Sequence, residues 1–175
     1  MSMLISETQG AVAVLTLNNP AQYNALAWGM LSELDAALDA AIADKDVRAI
    51  LLTGAGKGFC SGAQFGGDTF AMGDKIADTM RSHLTPVIEK MRNSPKPVVT
   101  AINGPCAGAG VGIALAGDMV IAARSAKFIL SFVRLGATLH GGPSLFPPTA
   151  VRGPRARVGA LPGEPPSAGT AAELG

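Results

Sequence analysis

Three observations place this 175-residue chain in the α/β class. Two short apolar runs, Val47 to Leu52 and Val98 to Ile102, have the length and branched content of buried strands. Each runs directly into a glycine-rich turn. Stretches with apolar residues at helical spacing lie between and after them, and such alternation is the pattern of layered α/β structure. A chain of this length supports one domain with a sizeable core.

The elements follow in order. Ala11 to Leu17 alternates apolar and smaller residues, as a strand does, and Asn18-Asn19-Pro20 closes it. Ala27 to Ala43 carries Leu31, Leu34, Leu38 and Ile42 at helical spacing among many alanines, which predicts an amphipathic helix. Val47 to Leu52 is the next strand. Residues 66–80 are rich in glycine and aspartate with weak periodicity, and are expected to form a loop and short helix over a site. Leu84 to Arg92 reads as a helix that ends ahead of Ser94-Pro95-Lys96-Pro97. The Val98 strand follows, then a helix from about Ala109 and a strand from Met119 to Ala122. No repeat of solenoid type is visible.

Composition narrows the function classes. Net charge is +1 with 15% charged residues, which leaves no nucleic-acid footprint. No run is long and apolar enough to span a membrane, and Met1 to Gly10 lacks the basic start and apolar core of a signal peptide. Cys60 and Cys106 show no metal-ligand spacing, so no metal is expected. Each lies in a glycine-rich turn and is expected to be a small buried residue. A reducing, cytoplasmic setting fits.

Chemistry is expected at the two turns. Pro95 to Asp118 reads PKPVVTAINGPCAGAGVGIALAGD, with small residues unbroken from Cys106 to Gly112. Such a strand, turn and helix leave backbone N–H groups uncovered, and these suit a negatively charged oxygen. The upstream turn, Thr53 to Ala63, has the same construction. Two nucleotide-binding motifs fail on it. A phosphate-binding P-loop requires Gly where Leu51 stands and Ser or Thr where Gly58 stands. The dinucleotide fingerprint requires a third glycine where Phe59 and Ile113 fall.

The chain resembles the crotonase family, the enoyl-CoA hydratases and isomerases. The resemblance rests on Asn18-Asn19-Pro20 with Asn24-Ala25-Leu26, on LLTGAGKGFCSGA, on the Pro95 to Asp118 segment, and on IAARSAKF from Ile121 to Phe128. The last looks most like the ring-epoxide phenylacetyl-CoA isomerases. The resemblance implies a crotonase fold of stacked ββα turns and an enzyme of fatty-acid or phenylacetate metabolism, of lyase or isomerase type. Its substrate is an acyl-CoA thioester and its only carrier the coenzyme A itself. A homotrimer or a dimer of trimers is implied as well. Residues 1–135 form the core with the acyl-CoA site, and 136–175 begin a C-terminal helical region. That region holds seven of the twelve prolines, with helix breakers at Pro154, Pro162 and Pro166, and is expected to be incomplete.

Carried over residue by residue, the resemblance puts two oxyanion-hole donors at the backbone N–H groups of Ala63 and Ala109. Gly62, Gly108 and Gly110 let the acyl group approach. Gln22, Tyr23 and Ala25 match the coenzyme A passage, Gln64 stands where relatives carry a loop-fixing aspartate, and Phe65 and Gly66 match the turn beside the pantetheine arm. The two glutamates with which hydratases add water fall on Gly112 and Phe132, neither of which moves a proton, so isomerisation is favoured over hydration. The aspartate of the epoxide isomerases falls on His140, ahead of Gly141-Gly142. A histidine there is either the base or a surface loop residue. His83 is expected as a solvated helix residue.

Overall fold

The computed structural model describes residues 2–64, 75–130 and 165–174. Strands β1 (Leu4–Gln9) and β2 (Val12–Leu17) form an antiparallel hairpin. Helix α1 (Trp28–Ala43) leads to β3 (Ala49–Gly54), and α2 (Lys75–Arg92) leads to β4 (Val98–Ile102). After β5 (Cys106–Ala107) come α3 (Ala109–Leu115), β6 (Met119–Ala122), β7 (Phe128–Ile129) and α4 (Ala168–Leu174). The main sheet has the order β1-β2-β3-β4-β6, parallel from β2 onward, and β5 pairs with β7 in a second, small parallel sheet.

Burial along β2, β3 and β4 alternates, so one face is fully buried by Leu15, Leu17, Ile50, Leu52, Val98 and Ile102. Against it pack Met30, Leu31, Leu34 and Leu38 of α1, with Leu84, Val87 and Met91 of α2. The α1 stripe agrees with the spacing that predicted it. Lys90 locks the two helices together, its ammonium 2.7 Å from carboxylate oxygens of both Asp35 and Asp39. Burial pulls its pKa down, but the two carboxylates outweigh that and raise it above the ordinary lysine value. Lys96 donates to the carbonyls of Ala41 (2.7 Å) and Asp44, closing the negative end of α1.

Several elements depart from the sequence reading. β3 begins two residues later than expected. Helix α2 starts at Lys75, nine residues before Leu84, and runs through Pro86. Met80, Leu84, Val87, Ile88 and Met91 recur at helical spacing on its inner side, and that burial outweighs the cost of an internal proline. His83 is half-buried, its ring 5.3 Å from that of Trp28, and is not a freely solvated residue. Pro166 breaks no helix among the described residues. Its carbonyl accepts from Phe128 N–H (3.1 Å), and α4 begins two residues later, with Ala168 N–H donating to Ala126 (3.2 Å). Pro154, Pro162 and the proposed boundary at 135/136 lie outside the described residues.

Candidate active site

Both glycine-rich turns leave the C-terminal edge of the main sheet, after β3 and β4. The first is shaped by Asn24. This side chain is fully buried, and its backbone has φ 56°, a left-handed conformation that asparagine tolerates. Its Nδ2 donates to the carbonyls of Ala55 (3.0 Å), Gly58 (2.8 Å) and Phe59 (3.1 Å), while Oδ1 accepts from Asn19 N–H (2.9 Å). The turn is then laced to the 22–26 segment. Ser61 N–H donates to Tyr23 (2.8 Å), Leu26 N–H to Gly62 (2.8 Å), and Gln64 N–H to Leu26 (3.1 Å). In such a parallel bridge Leu26 uses the groups on either side of Ala63, so the N–H of Ala63 points away from it.

The second turn docks on the first. Phe59 and Cys60 N–H groups donate to Pro105 O (3.0 and 3.3 Å), and Ala107 N–H donates to Cys60 O (2.8 Å). Behind it, Cys106 and Gly108 N–H groups donate to Lys127 and Ile129, both at 2.9 Å. Helix α3 starts at Ala109, whose N–H has no intrahelical acceptor in the first turn. Thr100, fully buried, donates to Ala114 O (2.7 Å) and ties this helix to β4.

The residues preceding Ala63 and Ala109 are alike: Gly62 has φ 93° and Gly108 has φ 52°. A Cβ on Gly62 would stand 2.9 Å from Ala107 O and 3.4 Å from Ala109 N. The missing side chain therefore opens a gap beside the Ala109 amide. Among the described residues no hydrogen bond takes the N–H of Ala63 or of Ala109. Two uncommitted donors on abutting turns are an arrangement suited to an oxygen that gains negative charge.

The other expected residues are placed as follows. Gln22 is exposed, and Tyr23, 49% exposed with φ 49°, leans over Gly58. Ala25 is buried, so its side chain offers no surface to a ligand. Gln64 fixes the turn through its backbone N–H, and its side chain makes no hydrogen bond among the described residues. Gly112 is buried within α3. Phe65, Gly66, Phe132 and His140 lie outside the described residues. Cys60 and Cys106 are fully buried, as expected, and burial pushes the Cys60 thiol up to about 12. Among the described residues no three His, Cys, Asp or Glu side chains cluster as metal ligands, and no helix is long and apolar enough to cross a membrane. The sequence reading missed the clamp made by Asn24, although a lone asparagine in the turn region after a strand is a signal for the left-handed conformation.

Residues 7–175 match the enoyl-CoA hydratase/isomerase family model. The chain belongs to that family. Like other enoyl-CoA hydratase/isomerase chains it has the crotonase fold, seen in its likeness to a member from Mycobacterium abscessus (TM-score 0.90, 38% identity, 98% of this chain and 68% of that one). It is similar to the 1,2-epoxyphenylacetyl-CoA isomerase of Escherichia coli, 38% identical over all of this chain and 68% of the isomerase. It is also similar to a Rhodobacter capsulatus protein named a probable enoyl-CoA hydratase, 41% identical over 97% of this chain and 65% of that one. This hydratase/isomerase chain thus spans about two thirds of the length of these relatives.

Proposed function

We propose that the chain binds an acyl-CoA thioester and stabilises the enolate derived from it between the N–H groups of Ala63 and Ala109, acting as an isomerase rather than a hydratase. The observation that carries this reading is the pair of uncommitted amides on abutting turns, with Gly62 leaving the space beside Ala109 open. Each such donor is worth about 3 kcal/mol of transition-state stabilisation once water is excluded. Gly112 and Phe132 at the positions of the hydratase glutamates disfavour addition of water, and similarity to an epoxyphenylacetyl-CoA isomerase points the same way. His140 is the proposed base. Gln22, Tyr23, the backbone at Ala25, Gln64, Phe65 and Gly66 are proposed to border the coenzyme A. Nothing beyond the coenzyme A of the substrate is required by this chemistry. The exposed Met119 (59%) and Ile121 (56%) on edge strand β6 are apolar surface that subunit contacts in a trimer would cover, and the setting proposed is cytoplasmic.

A second reading, a coenzyme A ester-binding protein without turnover, draws on Gly112, since the helix next to the oxyanion turn carries no proton-moving side chain there. Calorimetry with acetoacetyl-CoA, followed by assays on crotonyl-CoA and on a ring-epoxide phenylacetyl-CoA, separates the two. Binding with epoxide turnover and feeble hydration is the expected result. Absence of binding at millimolar ester sinks both readings, and hydration at on the order of 10–1,000 per second sinks the preference for isomerisation.

A further inference from the structure

The side chain of Cys60, in the first turn, lies against both turns. Its Sγ accepts the Gly62 N–H at 3.4 Å. On its other side, a Cβ on Gly110 would lie 2.8 Å from both Cβ and Sγ of Cys60, so the first turn of α3 rests against the thiol. Gly62 precedes one proposed donor, and Gly110 follows the other. The two peptides flanking Gly62 are consequently both held. The N–H of the first goes to Cys60 Sγ, and the carbonyl of the second goes to Leu26 N–H (2.8 Å). With that carbonyl fixed, the trans geometry of the peptide sets the direction of the Ala63 N–H.

We propose that Cys60 is a positioning residue for the oxyanion site: its sulfur holds the Ser61–Gly62 peptide, directly ahead of the peptide that carries the Ala63 N–H, and its bulk sets the spacing between the Ala63 and Ala109 amides. This rests on the oxyanion reading above. The sulfur acts as a neutral thiol, since burial keeps it protonated at neutral pH, and it takes no part in bond making. Serine preserves an acceptor in the same place. Alanine and valine remove it and leave the buried Gly62 N–H unpaired.

The test uses the intact protein with butyryl-CoA isotopically labelled at the thioester carbonyl, read by difference infrared spectroscopy. In the wild type, bound ester shows a carbonyl band displaced to lower frequency. Cys60→Ser keeps at least about half of that displacement, while Cys60→Ala and Cys60→Val lose most of it with affinity changed within about threefold, because the coenzyme A contacts lie elsewhere. On a turned-over ester the same two variants lower kcat by about tenfold or more with KM within a few-fold, and serine restores it. An undisplaced carbonyl in the wild type overturns the oxyanion reading and this inference together. A displaced carbonyl in the wild type, equally displaced in Cys60→Val, overturns only the role of Cys60. Should the alanine and valine variants not fold, hydrogen exchange of the Gly62 amide in the wild type decides, since an amide bonded to sulfur is protected and rapid exchange overturns the bond.

Discussion

A single carbon added to Gly62 would stand 3.4 Å from the amide nitrogen of Ala109. The two residues belong to turns that leave adjacent parallel strands, and the space between them exists because one has no side chain. Three further hydrogen bonds, from Phe59, Cys60 and Ala107, keep the turns in contact. The site is therefore a property of backbone geometry, and its sensitivity to substitution follows from that.

Gly62→Ala is expected to abolish most activity. The new methyl meets Ala107 O at 2.9 Å, and φ of 93° strains any L side chain, costing about 1–3 kcal/mol. Occupying the gap beside Ala109 should lower kcat/KM on an accepted ester by about 100-fold or more. Gly10→Ala is the control. It also has a positive φ, 60°, with no atom within 4 Å, and should reduce thermal stability without changing kcat/KM. Equal activity loss in both variants would trace the effect to stability alone.

Asn24→Asp should destabilise the fold by roughly 3 kcal/mol or more, measured by urea unfolding, because it turns a carboxylate oxygen toward three carbonyl oxygens that now receive an N–H. Asn24→Gly accommodates the φ of 56° and should fall between aspartate and wild type. A loss below about 1 kcal/mol for the aspartate variant would show that the clamp is dispensable.

The buried thiols give a pH dependence of defined sign. Burial raises the Cys60 thiol from 9.0 to about 12. Burial, with Cys60 adding to it, also raises Cys106 well above its ordinary value. In the unfolded chain both ionise near their ordinary values. Their contribution to stability is whole below pH 9.0 and falls as pH climbs toward 12, because the unfolded state loses protons first. Denaturation midpoints measured across that window should decline more steeply for the wild type than for a Cys60→Ser, Cys106→Ser double variant. Parallel declines would assign the loss to other groups.

His140→Ala should lower turnover by about 100-fold or more while ester affinity stays within a few-fold. Wild-type activity should rise with pH as the imidazole loses its proton, since only the neutral ring accepts one. His140→Asp should keep or increase isomerase activity. Unchanged rates in both variants would make this histidine a bystander.

The amino-acid sequence alone determined the α/β class, the core strands, α1 and the two glycine-rich turns, because each carries a local signal: period-two or period-3.6 burial, or an uninterrupted run of small residues. It did not disclose β1, whose Leu4–Gln9 is exposed except at Leu4 and is held by pairing with β2. Nor did it disclose β5 and β7, two residues each, too short for any periodicity. The reach of α2 back to Lys75 was hidden by the proline at its centre and the glycine-rich stretch before it. Above all, only the tertiary structure decided that Gly62 abuts Ala109 and that Cys60 touches both Gly62 and the space at Gly110. The contacts of Gly62 with Ala109 and of Cys60 with Gly110 join two turns far apart in the chain, and they arise from β3 and β4 lying side by side in the sheet, a pairing that no local run of residues encodes.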